Sequence, residues 1–222
     1  MTNPAILFDI DGTLVDSNYA HVAAWSRALD DVGHPVDSWR IHRAIGMDSE
    51  LLLADLLGGR ADDLGERASE LHSEHYLASA GSLRAFAGAG DLVSAVAALG
   101  LQVVLATSAP EDELELLRSV LGIDDTVAVV TSAADVDQAK PAPDIVQVAL
   151  ERTGVEPADA IMIGDSVWDV RGAAHAGVPS IGLLSGGTGR LELLEAGALG
   201  VYDDAGDLLA HLDESPVATL VR

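Results

Sequence analysis

Short apolar runs of strand-like makeup recur at Ala5–Phe8, Val103–Ala106, Val127–Val130, Ile161–Ile163 and Ser180–Leu183. Helical spacing separates the later runs, so the series reads as consecutive β-α-β units. That alternation predicts an α/β fold, a parallel sheet with helices on both faces. The gap between the first two runs is too long for one crossover helix. Residues 17–84 read as several helices without a strand and are expected to form an inserted helical domain. Residues 1–16 and 85–222 are then the core, and the glycine- and alanine-rich stretch from Gly81 to Gly90 is the return linker.

A chain of 222 residues is long enough for such a core plus a smaller insertion. Although 49% of its residues are hydrophobic, no apolar run approaches the ~20 residues of a membrane-spanning helix. The start, MTNPAILFDID, has no basic leader, so the expected location is cytoplasmic and no membrane partner is expected. There is no cysteine, which excludes disulfides, thiolate catalysis and cysteine-ligated zinc. A formal net charge of -24 argues against a nucleic-acid partner, because such binding rests on clustered lysine and arginine. A small anionic ligand stays possible, since surface charge is screened beyond about 8 Å at physiological salt.

In open parallel sheets ligands collect beyond the carboxyl ends of the strands, so residues just after each run are the first candidates for chemistry. The first run leads into Asp9-Ile10-Asp11-Gly12-Thr13, two carboxylates close enough to repel unless a cation or a shared proton relieves them. An Asp-Gly turn would account for the same letters. The second ends at Thr107-Ser108, where hydroxyls meet the amides of a helix start; Ser108 with Glu111 also fits a capping box that needs no ligand. Lys140, the only lysine beside eleven arginines, precedes Pro141-Ala142-Pro143-Asp144, and the prolines stiffen its approach. The fourth run enters Gly164-Asp165-Ser166-Val167-Trp168-Asp169, whose two aspartates share a helix face if a helix begins there. A helix N-terminus or a hard divalent cation would compensate their repulsion.

Taken in order, DxDGT, TS, KPxPD and GDSxxD resemble the pattern of the haloacid dehalogenase-like phosphohydrolases. The likeness covers nearly the whole chain, from LFDIDGTLVDS through VVLATS to KPAPD and IMIGDSVWDVRGAAHAGVPSIGL. It implies a Rossmann-like core with a helical cap inserted after the first strand. It also implies Mg2+-dependent hydrolysis of a small phosphorylated metabolite, with Asp9 as nucleophile and Asp11 as general acid, then base. By the same resemblance Asp9, the Asp11 carbonyl and Asp165 would hold the magnesium, with Asp169 orienting from the second layer. Thr107, Ser108 and Lys140 would hold the phosphoryl group.

The cap should choose the leaving group. His21 and Trp25, one helical turn apart, resemble positions in the sugar-phosphate mutase and phosphatase branch, and packing is the plainer explanation of the pair. Arg43 to Met47 looks like that branch's substrate-sampling loop, with Gly46 permitting close backbone approach. Hexose-phosphate mutases of the family carry an arginine shortly after that glycine. Asp48-Ser49-Glu50 stands there in this chain, so phosphatase is expected ahead of a β-phosphoglucomutase-like mutase. The loop Ser185 to Arg190 is read as a flexible connector, and His34, His42, His72, His75, His175 and His211 as exposed. A receiver-type signalling module is shorter and uncapped. A silent binding scaffold would be expected to lack a catalytic group, and none is missing. The chain is read as a monomer or homodimer.

Overall fold

The computed structural model describes residues 3–132 and 144–221. Six parallel strands form one sheet: β1 Ala5–Phe8, β2 Gln102–Ala106, β3 Val129–Thr131, β4 Ala160–Gly164, β5 Ser180–Leu183 and β6 Gly200–Tyr202. Their order is β3-β2-β1-β4-β5-β6. Side chains alternate across a strand, and both faces of this sheet are buried. Ile6 and Phe8 face a cluster completed by α5 Ala89–Ala98, α6 Glu111–Leu121 and α10 Ala205–Ala210. Ala5 and Leu7 face α7 Asp144–Thr153 and Ala173 of α8 Val167–His175.

Four α-helices lie between β1 and α5: α1 Asn18–Asp31, α2 Ser38–Ala44, α3 Ser49–Leu57 and α4 Ala61–Ala78. They pack around their own apolar cluster, where Val22, Trp25 and Leu29 of α1 meet Ile41, Leu52, Leu56 and Leu71. The spacing of those α1 residues is the stripe that a helix buries. The chain leaves and re-enters the sheet through paired segments. The Asp16 amide bonds to the Arg84 carbonyl at 2.9 Å, and the Phe86 amide to the Leu14 carbonyl at 2.9 Å.

Two strand expectations need correcting. The third strand begins at Val129 rather than Val127, and the sixth strand was missed. β6 has only three residues, lies at the sheet edge and is half-buried, so it carries too little alternation to be distinguished from a turn. No described helix is long and apolar enough to cross a membrane.

Candidate active site

Strand order determines where the chemistry collects. β1 lies between β2 and β4, and Phe8 pairs in register with Leu105 on one side and Ile163 on the other. The residues just past these three strands therefore emerge side by side at the carboxyl edge, where the strand order reverses. Asp9, Thr107 and Asp165 are those residues, and all three are buried. Asp169 joins them from the first turn of α8. One oxygen from each of Asp9, Asp165 and Asp169 lies within 4.8 Å of the others. Three buried carboxylates at this separation call for a cation, and an all-oxygen donor set suits a hard divalent ion.

Local sequence explains how each is held. The Thr13 hydroxyl donates to Asp165 Oδ1 at 3.1 Å, and Asn18 Nδ2 donates to Asp165 Oδ2 at 2.9 Å. Gly12 must be glycine twice over. Its φ is 73°, and a Cβ there would lie 2.3 Å from Asn18 Nδ2. Asp169 accepts from the Ser166 amide at 3.0 Å and the Ser166 hydroxyl at 2.6 Å, forming a capping box that starts α8. Asp165 precedes that helix, so the two aspartates do not stack along it.

Asp11 lies at the mouth. Its Oδ1 accepts from the Ser17 hydroxyl at 2.6 Å and faces His21 Nε2 at 3.2 Å. His21 Nδ1 meets His72 Nε2 at 3.0 Å, and His72 in turn stacks on Trp25 with ring centroids 4.2 Å apart. Tyr76 stacks on His21 from the other side at 3.9 Å. Burial pulls against charge in this pair. His21 would be lowered by burial, but its bond to Asp11 and the fields of Asp11 and Glu113 hold it above the usual imidazole value. His72, with desolvation dominant and His21 and His75 adding repulsion, is held well below it. The expectation that His72 is exposed is wrong: it is buried, with its ring stacked on Trp25. His34, His42 and His75 are half-buried rather than exposed, whereas His175 and His211 face solvent as expected.

The Ser108 capping box is not formed. Pro110 takes the N-cap position of α6 without a side-chain bond. The Ser108 hydroxyl finds no partner among the described residues, and it lines the cleft. The Thr107 hydroxyl accepts from the Ala109 amide at 3.1 Å and also lines the cleft. Lys140 lies outside the described residues. His21, Trp25 and Gly46 all face the same cleft of about 230 Å³, with a Cβ on Gly46 only 3.0 Å from Ser166 Oγ. Arg43 does not face it. Its guanidinium pairs with Glu192 on α9 Arg190–Ala196, with Nη1 at 3.0 Å from Oε2.

Sequence reasoning missed four contributors. Asn18 clamps Asp165, and Glu113 is a buried acid on the cleft wall; neither belongs to a pattern that stands out in the chain. Ser185 and Gly186 are more than a flexible connector: the Ser185 hydroxyl donates to the Gly12 carbonyl at 2.7 Å, and Asn18 Nδ2 reaches the Gly186 carbonyl at 3.2 Å. Arg190, in the same loop, points away to the Val201 carbonyl and Asp203.

Known proteins resemble this chain in sequence and in overall fold. Phosphoglycolate phosphatase of Rhodospirillum rubrum is 35% identical over 216 residues, covering 92% of this chain and 88% of that protein. Validoxylamine A 7'-phosphate phosphatase of Streptomyces hygroscopicus is 28% identical over 178 residues, covering 80% of this chain and 84% of that protein. Among solved structures, a hydrolase from Pseudomonas syringae superposes with a TM-score of 0.91 at 38% identity, covering 96% of this chain and 99% of that one. A β-phosphoglucomutase from Clostridium difficile shares the fold, with a TM-score of 0.83 at 22% identity over 99% of this chain and 100% of its own. Residues 4–177 match the haloacid dehalogenase-like hydrolases, and with the strand-end aspartates in place the chain belongs to that family.

Proposed function

We propose that this hydrolase is a magnesium-dependent phosphatase of small phosphorylated metabolites, working through a phosphoryl group carried on Asp9. The observation that carries the reading is the convergence of Asp9, Asp165 and Asp169 within 4.8 Å at the sheet edge, with Asp11 at the cleft mouth beside them. Relatives bearing phosphatase names support the same reaction class.

Asp9 attacks phosphorus in this reading, because it projects from the central strand at the floor of the cleft. Asp11 gives a proton to the departing alcohol and later takes one from water. The bonds from Ser17 and His21 hold one Asp11 oxygen in place and fix the direction of the carboxyl group. Asp9, the Asp11 carbonyl and Asp165 would hold magnesium, with Asp169 behind them. When bound, the cation supplies positive charge that offsets carboxylate repulsion and neutralises phosphoryl oxygens. Thr107, Ser108 and Lys140 hold those oxygens, and the unpaired Ser108 hydroxyl supports this.

Residues 17–84 act as the cap that covers the leaving group. Hydrolysis is preferred over mutase chemistry because a bisphosphate intermediate needs a second cationic grip. Among the described residues no arginine lines the cleft, and Arg43 is engaged by Glu192. The test is phosphate release from a panel of phosphoesters, with magnesium or with chelator, in wild type and Asp9→Asn. Metal-dependent release that vanishes in the variant is expected; interconversion of a sugar phosphate without release would instead favour the mutase.

A further inference from the structure

The cleft above Asp9 and Asp11 must receive whatever group departs from phosphorus, so its walls determine which leaving groups fit. α1 contributes His21 and Trp25, α3 Leu52, α4 His72 and Ser73, and α6 Glu113. Among the described residues no arginine or lysine lines this space. Lys140, outside them, is assigned to the phosphoryl group. His21 is the remaining cationic candidate, and its Nε2 is already directed at Asp11.

Glu113 is the unusual member. It is a carboxyl group only 2% exposed, with the Ser73 hydroxyl donating to Oε1 at 3.1 Å. His72 Nδ1 stands 3.9 Å from the same oxygen, too far for a hydrogen bond. Glu113 thus faces the cleft with accepting capacity still to fill. Beside it, Trp25 and Leu52 offer apolar surface.

We propose that this wall selects phosphoesters whose leaving group is uncharged and hydroxyl-bearing, a polyol or sugar, and rejects one that carries a carboxylate, with Glu113 and His72 as specificity determinants. Hydroxyls can donate to Glu113, and they can donate to or accept from the His72 ring and Ser73. Each buried polar group on both sides is then partnered. The carbon skeleton lies against Trp25 and Leu52. A carboxylate placed here would meet Glu113 and Asp11 with no described arginine or lysine to balance it. Either it or Glu113 would have to take up a proton. Burial foremost raises the Glu113 pKa, the His21 charge offsets part of that rise and the Asp11 charge adds to it, so a further anion beside this buried carboxyl is opposed. The inference rests on the phosphatase reading, and it separates this chain from relatives named for phosphoglycolate, whose leaving group carries a carboxylate.

The test compares kcat/KM of the full chain with magnesium for glycerol 3-phosphate, a hexose 6-phosphate and 2-phosphoglycolate, with p-nitrophenyl phosphate reporting the chemistry itself. The polyol or sugar ester should exceed 2-phosphoglycolate by about tenfold or more, the scale of discrimination set by an unmatched buried polar group. Glu113→Gln removes the charge but keeps hydrogen-bonding capacity, and should narrow that ratio by roughly threefold or more through faster turnover of 2-phosphoglycolate. If that variant does not fold by thermal melt, Ser69→Arg on α4 places a cation on the same wall and should shift preference in the same direction. Turnover of 2-phosphoglycolate equal to or above the polyol esters in wild type would overturn the inference and leave the phosphatase reading standing. Absence of release from every ester, p-nitrophenyl phosphate included, would overturn both.

Discussion

Gly186 and Asp165 compete for one place: a Cβ on Gly186 would lie 1.6 Å from Asp165 Oδ2. The loop after β5 can press on the carboxylate after β4 only because that side chain is missing. Gly186→Ala must displace either the loop or Asp165. A cost of about 1–3 kcal/mol is expected from the overpacking. Misplacing the carboxylate should also lower turnover by about a hundredfold. Thermal unfolding with and without magnesium, beside phosphate-release rates, checks both effects. Wild-type rates in a well-folded variant would show that Asp165 tolerates the shift.

Crowding of three buried carboxylates should disfavour the folded chain when no cation is bound. Asp9→Asn removes one negative charge from the buried set of Asp9, Asp165 and Asp169. It should raise metal-free stability by about 1 kcal/mol while abolishing turnover. Magnesium should raise the melting midpoint of wild type by mass action and do much less for Asp165→Asn. Scanning calorimetry over a magnesium series separates these cases. Identical midpoints at every magnesium concentration would remove the metal from the site.

Buried His72 should leave a signature in the pH dependence of stability. Its folded pKa is depressed, by burial foremost, so below its ordinary 6.5 the unfolded chain binds the extra proton more readily than the folded one. The stability it allows is complete above pH 6.5 and is lost as pH falls from there toward the folded pKa. His72→Phe keeps the stack on Trp25 and cannot titrate. Its melting midpoint should decline less steeply than wild type below pH 6.5; parallel curves would mean that His72 charges as easily folded as unfolded.

Arg43 and Glu192 join the helical insertion to α9 at the surface. Glu192 is pulled down to about 2 by its bond to Arg43 first and the Gly189 amide second. That contribution is present above its ordinary 4.5 and lost as pH falls toward 2. Solvent screening keeps it small. Because Arg43 is outside the cleft, Arg43→Ala should change kcat/KM by less than about threefold, in keeping with an exposed pair. A loss of several orders of magnitude in steady-state assays would mean that Arg43 grips the substrate.

The strand-forming runs, the long helical gap and the motifs that follow β1, β2 and β4 could be read directly from the chain, because each is written in contiguous residues with a period of 2 or 3.6 or a fixed spacing. Asp9, Thr107 and Asp165 could be named for the same reason. β6 could not, since three residues at a sheet edge carry too little pattern. Neither could the roles of Asn18, His72, Glu113 and Gly186. Asn18 and Asp165 are 147 residues apart in sequence yet 2.9 Å apart in space, and Ser73 of α4 bonds to Glu113 of α6 across 40 residues at 3.1 Å, with His72 beside it. The sequence alone determined the candidate site residues at the strand ends, since each motif is local. Which groups press on them, and which side chains wall the cleft, was decided by how two separately packed clusters meet, and a contact between distant segments leaves no mark on either segment by itself.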